Sequence, residues 1–228
     1  MKLMLIGGGD IGKSDTKYET GAIDERIVKL CGKGKPNFLF IGLASNFADS
    51  YYKLIKDIYK NLGCETGKIS NKTLTHIEVV EEKIRKADII YIGGGDTVKL
   101  VKILKENGID KMLREKLDTN SVLAGISAGA IAYLKSGLSD TEIINNISNN
   151  YVEIDGLGFI DYMFVPHFSS DPKKMEDLKK VLVPFPPLEI QNDIVQYIQV
   201  LKEKVQSLIQ QASIAHTIAK KRFETQIF

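Results

Sequence analysis

Ser127 stands in the run Gly125-Ile126-Ser127-Ala128-Gly129, directly after the apolar residues 121–125. A serine hydroxyl is a weak nucleophile at neutral pH and needs a base to take its proton. The Gly-x-Ser-x-Gly spacing is that of a nucleophile elbow, a sharp strand-to-helix turn that lifts the hydroxyl clear of a sheet. Small neighbours are required because the chain doubles back there and a bulky side chain would collide with it. Alone, the pattern also fits a glycine-rich packing turn, so the chemistry depends on partners elsewhere in the chain.

The base is sought among three histidines. His76 falls in a charged amphipathic stretch and His216 in a C-terminal helical stretch, and a surface role accounts for either. His167 differs, because Val165-Pro166-His167-Phe168-Ser169-Ser170 follows an apolar run and puts an imidazole at a strand end. An imidazole base also needs an acceptor for its other ring N–H, which fixes the tautomer. Asp140, with Glu142 as the fallback, is available in the stretch 136–142, read as the loop after the elbow helix. Serine, then aspartate, then histidine is one of the known triad orders.

The tetrahedral intermediate needs two N–H donors, each worth roughly 3–4 kcal/mol. The Ala128 amide is one candidate. Gly94 or Gly95 in the run 93–95 is the other, since a residue without Cβ lets the backbone approach substrate. Those glycines could instead cradle a phosphate, but neither 93–95 nor 7–12 has the G-x-G-x-x-G spacing and no Walker lysine is present. No cofactor and no metal is expected. Cys31 and Cys64 lack C-x-x-C spacing, which argues against a zinc site or a disulfide framework.

These residues must be carried by elements that converge. Apolar runs at 2–6, 37–43, 88–92, 121–125 and 161–166 read as strands, and 65–70 reads as a further short strand. Helical spacing marks 24–31, 47–62, 75–87, 98–107 and 111–117. Buried strands alternating with helices predict an α/β fold with a doubly wound, mostly parallel sheet. Such sheets hold their sites beyond the carboxyl ends of the strands. The turns 7–10 and 93–97, Ser127 and His167 all follow strands, so one rim of one sheet is expected to gather them.

Charge and length set the wider limits. The 228 residues are 43% hydrophobic, enough for one substantial core, and 31 Lys+Arg against 29 Asp+Glu leave a formal charge of +2. No direct nucleic acid contact is expected from that balance. The N-terminal apolar run is too short for a signal-peptide core or a membrane span, so no membrane association and a cytoplasmic location are expected.

Four stretches in the same order, residues 91–97 (YIGGGDT), 125–130 (GISAGA), 137–140 (GLSD) and 165–170 (VPHFSS), together resemble peptidase E, the aspartyl dipeptidase family of serine peptidases. That family is similar in fold to the class I glutamine amidotransferases, and cyanophycinase is among its relatives. The resemblance covers about residues 1–182. It implies Ser127 as nucleophile, His167 as general base and Asp140 as the acid, with the 93–95 glycines and the Ala128 amide in the oxyanion hole. It further implies hydrolysis of short peptides after an N-terminal aspartate, without a metal. Serine rather than cysteine at 127 argues against a glutaminase. The basic residue expected to hold the substrate aspartate has no clear counterpart; Lys173 and Lys174 lie nearest His167 in sequence and read as solvated.

From residue 183 the chain departs from that pattern. Pro184, Pro186 and Pro187 mark a linker, so a domain at 1–182 and an appendage at 183–228 are expected. Ile194, Ile198, Leu201, Val205, Leu208, Ala212, Ala215 and Ala219 alternate spacings of four and three, the seam of a coiled coil. A long C-terminal helix with helix–helix self-association through 188–222 is therefore expected. Residues 184–195 and this helix resemble the conserved helical region of type I restriction–modification specificity subunits, which implies a composite chain. The alternative function is then a catalytically impaired hydrolase-like domain whose coiled-coil arm docks to a helical partner such as a DNA-modification complex.

Overall fold

The structure, a computed structural model, describes residues 1–12, 16–45, 48–168, 172–178, 196–197, 199–213 and 216. The chain divides into two compact units, Met1–Val181 and Leu182–Phe228. In the first, β1 (Lys2–Ile6), β2 (Asn37–Ile41), β3 (Glu65–Ile69), β4 (Ile89–Ile92) and β5 (Val122–Ile126) form one sheet in the order β1-β5-β4-β2-β3. Every pairing in it is parallel. Parallel strands are covered by their crossover helices on both faces, which is why β4 and β5 are apolar and buried throughout.

Side-chain alternation splits the core between the two faces. Phe38, Phe40, Ile89 and Tyr91 pack with Ile27 of α1 (Gly21–Cys31) and with Ile55 and Tyr59 of α2 (Ala48–Asn61). Leu39, Ile41, Ile90 and Ile92 pack on the opposite face. There they meet α3 (Ile77–Lys86), α4 (Thr97–Glu106), α5 (Ile109–Leu117) and α6 (Ala128–Tyr133). Cys31 and Cys64 are free and buried.

Two sequence expectations are corrected after α6. Residues 136–139 are not a loop, because β6 (Leu134–Ser139) starts at the residue after α6 ends. Nor does the apolar run near 161–166 extend the parallel sheet. It forms β8 (Ile160–Phe164), which joins β6 and β7 (Val152–Asp155) in a separate three-stranded sheet ordered β7-β6-β8. Only residues 127–133 connect β5 to β6, too few for a parallel crossover of about a dozen residues or more, so β6 starts a second sheet and β8 pairs with it. The β6–β7 pairing is antiparallel and the β6–β8 pairing parallel. The short helix α7 (Thr141–Ile144) follows β6, and α8 (Pro172–Leu178) follows β8.

In the second unit residues 199–213 are helical and exposed, as are Gln196, Tyr197 and His216. The linker prolines and the seam positions Ile194, Ile198, Ala215 and Ala219 lie outside the described residues. Among the described residues no helix is long and apolar enough to cross a membrane.

Candidate active site

Ser127 directly follows β5, the strand that sits between β1 and β4, and is the N-cap of α6. Its backbone has φ 54 and ψ −116, a strained conformation for a residue with a side chain. The surrounding contacts hold it there. Ser127 N donates to Ile6 O at 2.9 Å, and Ala130 N and Ile131 N donate to Ser127 O at 2.9 and 3.1 Å. The flanking glycines let α6 press against the strand ends: a methyl on Gly129 would fall 2.1 Å from Ile92 O, and one on Gly125 2.3 Å from Gly129 O. Ser127 is half-buried while its neighbours on both sides are buried.

His167 arrives from the second sheet, in the turn after β8, and not from a further strand of the first as the sequence suggested. It too has a positive φ, 54. His167 N donates to Gly7 O at 2.8 Å, so consecutive carbonyls at the end of β1 take the amides of Ser127 and His167. The imidazole lies on Gly8, where a methyl would fall 2.3 Å from Nδ1. Lys174 on α8 secures the turn by donating from Nζ to Pro166 O at 2.5 Å, with its ammonium 4.6 Å from the Tyr151 ring centroid. Lys174 is 3% exposed, which corrects its reading as a solvated side chain. Burial holds His167 below the 6.5 of an ordinary imidazole, and the Lys174 ammonium pushes the same way while the Asp140 carboxylate opposes both. The ring is therefore neutral at pH 7, the form that can accept a proton.

Asp140 immediately precedes α7 and lines one cleft with Ser127 and His167. Glu142, the fallback acid, does not line it; its Oε2 accepts from Ser148 Oγ at 2.7 Å, within its own loop. Gly94 and Gly95 line the cleft as well. A methyl on Gly94 would fall 3.4 Å from Ser127 Cβ and 4.0 Å from Oγ, so this backbone runs beside the hydroxyl. Ala128 is buried as the first residue of α6, and its N–H belongs to the helix's first turn, which has no partner within the helix.

The cleft has an open volume of about 1160 Å³. Its walls include residues to which the sequence assigned no site role: Asp10, Glu19, Ser45, Ser50, Tyr51 and Lys53. Tyr51 and Lys53 were legible only as part of an amphipathic helix, and nothing in their spacing marked them as facing a site. Burial pushes the Tyr51 phenol well above its usual value, so it is a neutral hydroxyl.

The family model of peptidase family S51 matches residues 3–207. The uncharacterized peptidase YgaJ of Bacillus subtilis is 27% identical over 170 residues, which cover 75% of this chain and 70% of that protein. Peptidase E of Haemophilus influenzae is 32% identical over 138 residues, 57% of this chain and 58% of the relative. The uncharacterized peptidase Lmo0363 of Listeria monocytogenes is 35% identical over 101 residues, and the match spans 47% of its length. Among solved structures, a peptidase from an acI-B1 Actinobacterium shares the fold with a TM-score of 0.58 at 22% identity, covering 77% of this chain and 74% of that one. The match runs past residue 183, and the resemblance of 183–228 to restriction–modification subunits lies outside what these comparisons show.

Proposed function

The chain belongs to peptidase family S51, a family of serine-type peptidases, and from that premise we propose that it hydrolyses short peptides through a Ser127–His167–Asp140 triad. His167 takes the Ser127 proton as Oγ adds to the peptide carbonyl. The Ala128 amide and that of Gly94 or Gly95 hold the oxyanion. The intermediate collapses to an ester on Ser127 as the leaving amine takes the proton back from His167. Water, activated by the same imidazole, then releases the acid and restores the serine.

The observation that carries this reading is the pairing of the Ser127 and His167 amides with adjacent carbonyls of one strand end. Ser127 and His167 also line one cleft, together with Asp140, which supports the same reading. The cleft carries charges of both signs, Lys53 on one side of the balance and Asp10 and Glu19 on the other, which suits a short peptide with free ends. The substrate class we propose is a peptide with an N-terminal aspartate, acted on in the cytoplasm, and the seam of the second unit is proposed to pair two copies of the chain. Aspartyl-leucine and an aspartyl p-nitroanilide are the test substrates. Ser127→Ala is expected to lower kcat by about 10⁴ or more with an unchanged far-ultraviolet spectrum. Equal turnover by variant and parent would refute the assignment.

A further inference from the structure

The turn that bears Asp140 is tied to the glycine turn by a carboxylate the mechanism does not use. Asp96 directly follows Gly95 and is the N-cap of α4, where its Oδ1 accepts from Lys99 N at 3.1 Å. Capping needs no more than that one acceptor. Yet Oδ1 also accepts from Thr141 Oγ1, and Oδ2 accepts from Asn145 Nδ2 at 2.7 Å. Asn145 Nδ2 in turn reaches Thr141 O at 2.7 Å. Beside this, the hydroxyls of Thr97 and Ser139 are 2.7 Å apart, and Thr141 N donates to Ser139 Oγ at 3.2 Å.

The two chain neighbours of Asp140, Ser139 and Thr141, are thus both held by residues 96 and 97. Asp96 is 9% exposed and Thr141 5%, so water competes little for these bonds. Hydrogen bonds to an ionised acceptor are among the stronger ones in proteins, and the donors around Asp96 hold its carboxyl below the usual aspartate range despite burial. An N-cap alone would leave the second oxygen free for solvent. Here it is spent on the helix that follows Asp140.

We propose that Asp96 is a positioning residue for Asp140: through Thr141 and Asn145 it holds the Asp140 turn toward His167 and locks that turn to the glycines beside Ser127. The inference rests on the reading of Asp140 as the triad acid. A group at 96 that only stabilises α4 would change melting temperature and leave the imidazole's surroundings alone.

The test reads the His167 ring by its proton resonance against pH, assigned by its loss in His167→Gln, alongside kcat and KM. Asp140→Asn is expected to lower the titration midpoint of His167, because the carboxylate that favours the charged ring is gone. Thr141→Val removes the hydroxyl link without changing charge, and Asp96→Ser keeps a capping oxygen but loses the reach to α7. Both are expected to lower the midpoint in the same direction, to cut kcat at least tenfold with KM within twofold, and to add nothing further in the Asp140→Asn background. The proposal is overturned if Thr141→Val and Asp96→Ser leave midpoint and kcat within error of the parent while Asp140→Asn moves both. Effects that multiply fully with Asp140→Asn would overturn it too. If Asp140→Asn moves neither readout, Asp140 is not the acid and both readings fall. If Ser127→Ala keeps turnover while the midpoints shift as expected, only the proposed function falls.

Discussion

His167 owes its place to an absent side chain. Its ring lies against Gly8, where a methyl would fall 2.3 Å from Nδ1 and 2.4 Å from Cε1. Ordinary non-bonded contacts are about 3.5–4.0 Å, so Gly8→Ala must push the imidazole by about an ångström or more. A displacement of that size in a catalytic group costs on the order of 10² in rate. We therefore expect Gly8→Ala to lower kcat about a hundredfold with little change in KM, read on the aspartyl p-nitroanilide. A Gly8→Ala protein with parental kcat would remove His167 from the role of base. The candidate site was legible in part from the sequence. Ser127 shows itself through its two glycines and His167 through the apolar run before it, because both signals are local. Gly8 reads only as one glycine among three after a strand, and Asp96 only as one residue of the turn 93–97. Their partners come from distant segments, and no periodicity records such a meeting.

The elements of the five-stranded sheet were legible because burial on both faces writes continuous apolar runs, as in β2, β4 and β5. β6, β7 and β8 were harder. β7 and β8 are only half-buried, and the Ser-Gly-Leu-Ser of β6 carries the residues of a turn. The helix face held a further feature that composition hides, the fully buried carboxylate of Asp24 on α1. Tyr18, Thr20 and Tyr59 each donate a hydroxyl to it at 2.8 Å. Burial outweighs these bonds and raises its pKa above the ordinary 3.8. A carboxyl with a raised folded pKa binds its proton more tightly when folded. Its contribution to stability is then complete below the unfolded value of 3.8 and is lost as pH rises through the folded value. Asp24→Asn keeps an acceptor and cannot titrate. The parent is therefore expected to lose stability relative to Asp24→Asn as pH is raised from about 4 to 7, measured by urea unfolding. A constant difference across that range would mean that Asp24 does not titrate there. Asp24→Ala, which strands the three hydroxyls, is expected to cost about 1–3 kcal/mol.

At the scale of the whole molecule the question is what the second unit does with its apolar residues. Leu201, Val205 and Leu208 are 43%, 53% and 55% exposed on a helix over 199–213, and their spacing of four and three is that of a coiled-coil seam. An isolated helix of about 12–15 residues is marginal in water and gains most of its stability from packing an apolar face. A second copy of the chain supplies an identical seam, which a two-fold pairing makes self-complementary. The full chain is therefore expected to sediment as a concentration-dependent mixture of a 25.4 kDa species and one of twice that mass. Leu201→Lys combined with Leu208→Lys places like charges across the seam and should return the chain to the smaller species. Because neither residue belongs to the Ser127 cleft, the same variant should keep the parent's kcat. A parent chain that stays at 25.4 kDa up to millimolar concentration would show that the seam does not pair two copies.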